Sequence, residues 1–150
     1  MENNNEKNPG EELLQAVYKN AKMGKETLTT VIGKTKNERV RAELTSQLES
    51  YHGFESEARN KLMQMSQNPK EPSVMAKIPA DISIKMSTLM DSSDSKIAEI
   101  MIDGYNMGII ELQKSLNHAK SSGVGEDIIG VANNVIAFEE GSIEKMKTFL

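Results

Sequence analysis

The chain of 150 residues is long enough for one domain that buries about 68–70% of the surface its unfolded form exposes, and too short for a second large one. With 37% hydrophobic and 27% charged residues it belongs to neither the membrane-embedded nor the wholly disordered class, and the absence of cysteine excludes a disulfide framework, a thiolate zinc site and a cysteine nucleophile. A net charge of −4 argues against nucleic acid as a partner, while 4% aromatic residues, no Trp and 10 Met suit helices better than sheets.

Residues 1–9, MENNNEKNP, contain no apolar run of the signal-peptide kind and read as a disordered tail. No later stretch approaches the ~18 consecutive apolar residues of a membrane span, so the expectation is a cytoplasmic protein with no membrane span. From Glu11 onward Leu14, Val17, Ala21, Gly24, Leu28 and Ile32 recur at steps of three and four, which predicts a first helix over about residues 10–34. Gly33 relaxes the chain, and Thr35 with Glu38 forms a Thr-x-x-Glu capping box for a second helix over about 36–67. The stripe of that helix is Val40, Leu44, Leu48, Tyr51, Glu55, Ala58, Leu62 and Met65. Pro69, Pro72 and Pro79 make residues 68–94 a crossover connection. Within it Ile82, Ile84, Met86 and Leu89 fit a short helix or a strand, and the scarcity of aromatics favours the helix. The cap-rich cluster Asp91 to Ser95 opens a third long helix along Ile97, Met101, Gly104, Tyr105, Gly108, Leu112, Leu116 and Ala119. Ser121 to Gly125 breaks it, and Ile128, Ala132, Val135, Glu139, Ser142, Met146 and Phe149 give a fourth. The fold class is therefore all-α: a single antiparallel four-helix bundle over residues 10–150, made of hairpins 10–67 and 95–150.

The two hairpins look alike. MGKETL at Met23 to Leu28 matches MGIIEL at Met107 to Leu112 with an offset of 84, and His52-Gly53 aligns with Glu140-Gly141 at an offset of 88. These offsets superpose Leu14 on Ala98, Val17 on Met101, Leu28 on Leu112, Leu44 on Ala132 and Ala58 on Met146. Each hairpin alone exposes an apolar face, and two copies packed about a pseudo-twofold bury both. Gly24 and Gly108 cost about 1 kcal/mol each relative to Ala in a helix, so their inner positions imply close helix approach or a bulky neighbour.

Two hairpins joined by a long crossover resemble the ferritin-like superfamily. AKMGKETL in the first helix, VRAELTSQLESY from Val40 to Tyr51 and IAEIMIDGYNMGIIEL in the third are similar to uncharacterised bacterial ferritin-like proteins related to the spore coat F type. At its fullest the resemblance implies a di-iron or di-manganese carboxylate centre, with a Glu on each of two helices and a Glu-x-x-His on each of the others.

That donor set is incomplete. Glu49 and His52 form a literal Glu-x-x-His, but the corresponding positions in the fourth helix are Ala137 and Glu140, and Tyr18 to Lys22 opposite them contains no acid. Asp103 points away from its stripe and Glu111 sits at the edge of it, at about 100° per residue. The inward acids are Glu55 and Glu139, which need partners if they are buried. With the second and third long helices parallel, Tyr18, Tyr51, Tyr105, Glu55 and Glu139 come to one height. Lys25 or His52 would add charge to that layer.

The layer has two readings. One is a satisfied polar layer that fixes helix register, in which apolar replacement of both acids leaves the fold intact. The other is an altered site in which Glu55, Glu139 and His52 hold a metal, iron or manganese by resemblance. No phosphate-binding glycine loop is present, and His118 with Lys120 suits a helix C-terminus rather than a catalytic base. The expected function is a non-enzymatic structural or interaction protein without a complete di-iron site and without a cofactor. The alternative is a metal-binding, oxidoreductase-like protein. Four-helix bundles often pair through a helix face, which makes a homodimer the natural assembly, although no outer stripe is apolar enough to nominate the face.

Overall fold

The computed structural model describes residues 8–72, 78–89 and 92–150, and the regular structure among them is entirely helical. The helices are α1 (Pro9–Lys34), α2 (Glu38–Gln64), α3 (Ala80–Ser87), α4 (Asp94–Ser121) and α5 (Glu126–Lys147). The four long ones carry the four apolar stripes. In α3, Ile82 and Met86 are buried while Ile84 is 60% exposed, a spacing of four that resolves the helix-or-strand ambiguity in favour of helix.

Local chemistry sets the helix ends, in places differently from the sequence reading. Asn8 Oδ1 accepts from the backbone amides of Gly10 and Glu11, with Pro9 in the first turn, so residues 8 and 9 belong to the helix start rather than to a tail. The rest of that tail, 1–7, lies outside the described residues. The capping box on Thr35 does not form. Asn37 caps α2 instead, its Oδ1 2.9 Å from the Arg39 amide. Thr35 is turned back and buried, donating through Oγ1 to the carbonyl of Val31 at 2.8 Å. α1 accordingly continues through Gly33. α2 stops at Gln64, where Ser66 takes a left-handed φ of 58° and the Gln67 amide returns to the Leu62 carbonyl. From the predicted cluster of N-cap residues Ser93 serves α4, while Asp91 falls outside the described residues. Between α4 and α5 the left-handed position is taken by Gly123, with φ 74°.

Side-chain contacts fix the helix directions. Along α1, Gln15 reaches Asn68, Tyr18 reaches Arg59 and Lys25 reaches Glu55, so α1 and α2 run in opposite senses. α1 and α4 are likewise opposed, through Glu12 with His118 and Asn20 with Gly108, as are α2 and α5, through Arg39 with Phe149 and Gln47 with Met146. α2 and α4 run the same way: Asn37 bonds Asp94 at one end and Gln47 meets Tyr105 further along. A chain leaving the end of α2 must therefore travel back along a helix of 27 residues, about 40 Å, before α4 can begin. This is why the connection is long, and α3 lies within it against α4, with Ile82 Cδ1 4.0 Å from where a Cβ on Gly104 would stand.

Two glycines with different surroundings test this packing. A Cβ on Gly24 would stand 2.6 Å from the ring of Tyr51, which is stacked on Tyr105 at 6.3 Å and lies edge-on to Phe138 at 5.1 Å. Gly53 has nothing within 4 Å of such an atom. Gly53→Ala is expected to stabilise by about 0.5–1 kcal/mol through helix propensity. Gly24→Ala is expected to destabilise by about 1–3 kcal/mol, because the displaced ring outweighs that gain. Urea unfolding followed by far-UV circular dichroism measures both, and equal stabilisation in the two variants would refute the close approach at Gly24.

Candidate functional site

The polar residues of the bundle interior divide into two groups. Tyr18 precedes Gly24, the residue that faces Tyr51, by six positions, about 9 Å along the helix axis. Glu55 lies one turn beyond Tyr51 on α2. The residues expected to form one layer are divided by their partners: Tyr18 and Glu55 share Arg59, whereas Tyr51, Tyr105 and Glu139 line one cavity.

In the first group Glu55 is 5% exposed and surrounded by cations. Lys25 ion-pairs with its Oε2, Lys22 stands 3.3 Å and Arg59 2.9 Å from its Oε1. Burial pushes the Glu55 carboxyl up, but the hydrogen bond and charge of Lys25, followed by those of Lys22, hold it below the usual carboxylate range. The Tyr18 ring lies between two of these cations, with Lys22 Nζ and Arg59 Cζ each 5.7 Å from its centroid, and its hydroxyl donates to Glu71. Burial raises the Tyr18 hydroxyl above its ordinary value, with the Glu71 hydrogen bond adding to it.

In the second group, among the described residues, no cation ion-pairs with the acid. Glu139 on α5 is 1% exposed and lies against Gly108 of α4, where a Cβ would stand 2.5 Å from its Oε2. A side chain at 108 is excluded, so glycine there makes room for the carboxyl. Asn20 on α1 reaches the Gly108 carbonyl through Nδ2 at 3.3 Å and, like Glu139, lies against Gly108. Burial pushes the Glu139 carboxyl up to about 8, against a partial lowering by Asn20, so at neutral pH it holds its proton. Glu139 Oε1 and Asn20 Oδ1 are buried oxygens with no hydrogen-bond partner. Burial, then the nearby Glu139, raises both Tyr51 and Tyr105, and Tyr105 donates its hydroxyl hydrogen to Gln47. Above this group a cavity of about 380 Å³ opens between α1 and α4, with Tyr51, Tyr105 and Glu139 among its lining.

The three candidate metal ligands do not come together. His52 is exposed, one residue around the helix from the buried Tyr51, and Glu49 is exposed as its position on the outer face implies. Glu55 and Glu139 stand in separate environments, one cationic and one aromatic. Among the described residues no group of three or more His, Asp or Glu is arranged to hold a metal ion. Asp103 instead pairs with Lys85 of α3, and Glu111 with Lys114. Lys25 does add charge to the interior, as its stripe position suggests. The sequence reading missed Arg59, Gln47 and Asn20. Arg59 is four residues after Glu55, a spacing that offered a signal. Gln47 falls between Leu44 and Tyr51 at helical steps, which marks it as inward. Asn20 sits between stripe residues and carries no comparable mark.

The two buried acids should respond to pH in opposite senses. The folded-state value of Glu139 lies above its unfolded one, so its contribution is fully present below about pH 4.5 and is lost as pH rises through about 8. That of Glu55 is lowered, so its contribution is present above the ordinary carboxylate range and lost in acid. Glu139→Gln is expected to raise stability at about pH 8 by about 1–3 kcal/mol and to flatten the dependence of the unfolding midpoint above neutrality. Glu55→Ala is expected to lose about 1–2 kcal/mol at neutral pH by stranding partly exposed cations. Urea titrations across the pH range check both, and a pH-independent difference between Glu139→Gln and the parent would refute a protonated Glu139.

No family model matches the chain. No curated protein matches it significantly. Among solved structures it is similar to "YcfI, a putative structural protein from Rhodopseudomonas palustris", with a TM-score of 0.78 at 16% identity, covering 100% of this chain and 99% of that one. At that identity the likeness shows a shared helical fold.

Proposed function

We propose that this protein is a ferritin-like, antiparallel four-helix bundle of two repeated hairpins that serves as a cytoplasmic, non-enzymatic structural or interaction protein of the spore coat F-related kind. The observation that carries the reading is the surroundings of Glu55. The carboxylate that a metal centre would need is already neutralised by Lys22, Lys25 and Arg59, and any added cation would have to displace them. The exposure of His52 works in the same direction. The description of YcfI, a protein alike over its whole length, as a structural protein also favours a structural role.

The contacts of the two inner glycines support the repeat. Offsets of 84 and 88 carry Gly24 onto Gly108 and Tyr51 onto Glu139. In each hairpin the glycine is where a Cβ would strike that partner, at 2.6 Å from the Tyr51 ring and 2.5 Å from Glu139 Oε2. One architectural device thus serves twice, with an aromatic ring in the first copy and a carboxyl in the second.

Metal analysis of protein purified without chelator tests the proposal. The expected result is iron and manganese far below stoichiometry, unchanged in a Glu55→Ala, Glu139→Ala double variant shown to be folded by circular dichroism. One equivalent of either metal, lost in that variant, would overturn the structural reading in favour of the oxidoreductase-like alternative.

A further inference from the structure

We propose that the cavity between α1 and α4 is a binding site for a small apolar molecule bearing a primary amine, with the amine directed at Glu139 and Asn20. This goes beyond the structural role above and stands or falls independently of it. The cavity, about 380 Å³, is of the size that takes a small organic ligand. Its walls include Met23, Met101 and Leu112, and Gly104 and Gly108 form part of the α4 side. At the base lie the rings of Tyr51 and Tyr105 and the carboxyl of Glu139.

The chemistry of the base selects the ligand. Buried polar atoms in folded proteins are nearly always hydrogen-bonded, yet Glu139 Oε1 and Asn20 Oδ1 both lack a donor. Once Glu139 is ionised both atoms are acceptors, and a head group with several N–H donors satisfies them together. A carboxylate or phosphate brings none, and an alcohol brings one. A hard metal cation is disfavoured because Glu139 is the one buried carboxylate in the lining and a hard dication needs several oxygen ligands. An ammonium supplies three donors, sits against two tyrosine rings, and carries the charge that an ionised Glu139 needs.

The groups facing Glu139 from the packed helices leave this choice to the ligand. Asn20 of α1 is neutral, Tyr51 of α2 and Tyr105 of α4 keep their protons, and the charged side chains in the lining, Lys19 and Glu111, are exposed and of opposite sign. Binding of an ammonium to the protonated acid gives an ammonium–carboxylate pair, and the carboxyl proton passes to solvent. No other bond changes.

Isothermal titration of the full-length protein with phenethylamine and with phenethyl alcohol, at neutral pH in phosphate and in Tris, tests the assignment. The amine is expected to bind at least about tenfold more tightly than the alcohol, a difference of about 1.4 kcal/mol, and to release close to one proton per site, read from the difference in heat between the buffers. Tyrosine fluorescence gives a second readout, because the chain has no Trp and two of its three Tyr line the cavity. Glu139→Gln, expected to fold at least as well as the parent, should lose the preference for the amine and the proton release. Equal affinity for the two probes, no binding by either, or unchanged amine binding in Glu139→Gln would each overturn the assignment.

Discussion

A carboxylate removed from water must meet a counter-charge or keep a proton, and the interior of this bundle contains one acid in each condition. Glu55 is surrounded by Lys22, Lys25 and Arg59 and stays ionised although it is buried. Glu139, equally buried, has an amide, two phenols and a glycine backbone for neighbours, and burial leaves it protonated. Because the counter-charge at Glu55 comes from both hairpin helices, that acid ties α1 to α2. Glu139 ties α5 to α4 and α1 through shape instead.

The glycines on the inner faces belong to the same account. Helix interiors ordinarily disfavour glycine, yet Gly24 and Gly108 stand where a methyl group would overlap the Tyr51 ring or the Glu139 carboxyl. Helix propensity is given up so that a large or polar side chain from the neighbouring helix can reach the centre. Along α4 a second effect follows. Gly104 and Gly108 line a cavity beside α1, and Asn20 and Glu139, whose Oδ1 and Oε1 have no partner, line it too.

Most of the architecture was legible from residue spacing, because amphipathic periodicity is a local property. The stripes through Leu14 to Ile32 and Ile97 to Ala119 need only helical geometry to be read, and the inward places of Glu55 and Glu139 follow from the same count. Spacing also put His52 on a flank, one residue from the inward Tyr51. Helix ends were less secure, since Thr35 and Asn37 are both competent caps two residues apart and only the packing of Thr35 under α1 separates them. The expected layer of tyrosines and acids is divided between two sets of partners for a comparable reason. Which face a residue takes is periodic, whereas the partners it meets come from neighbouring helices.

What the sequence by itself determined is therefore the set of helices and the face each one buries, because both are written within a few turns of chain. Only the tertiary structure decided which acid meets a cation and which keeps its proton. Those outcomes depend on distances of a few ångströms between groups far apart in the chain: Lys25 with Glu55 across one hairpin, Asn20 with Gly108 and Glu139 across the whole bundle. Electrostatic state follows from such distances and from burial, and neither is a property of any short segment.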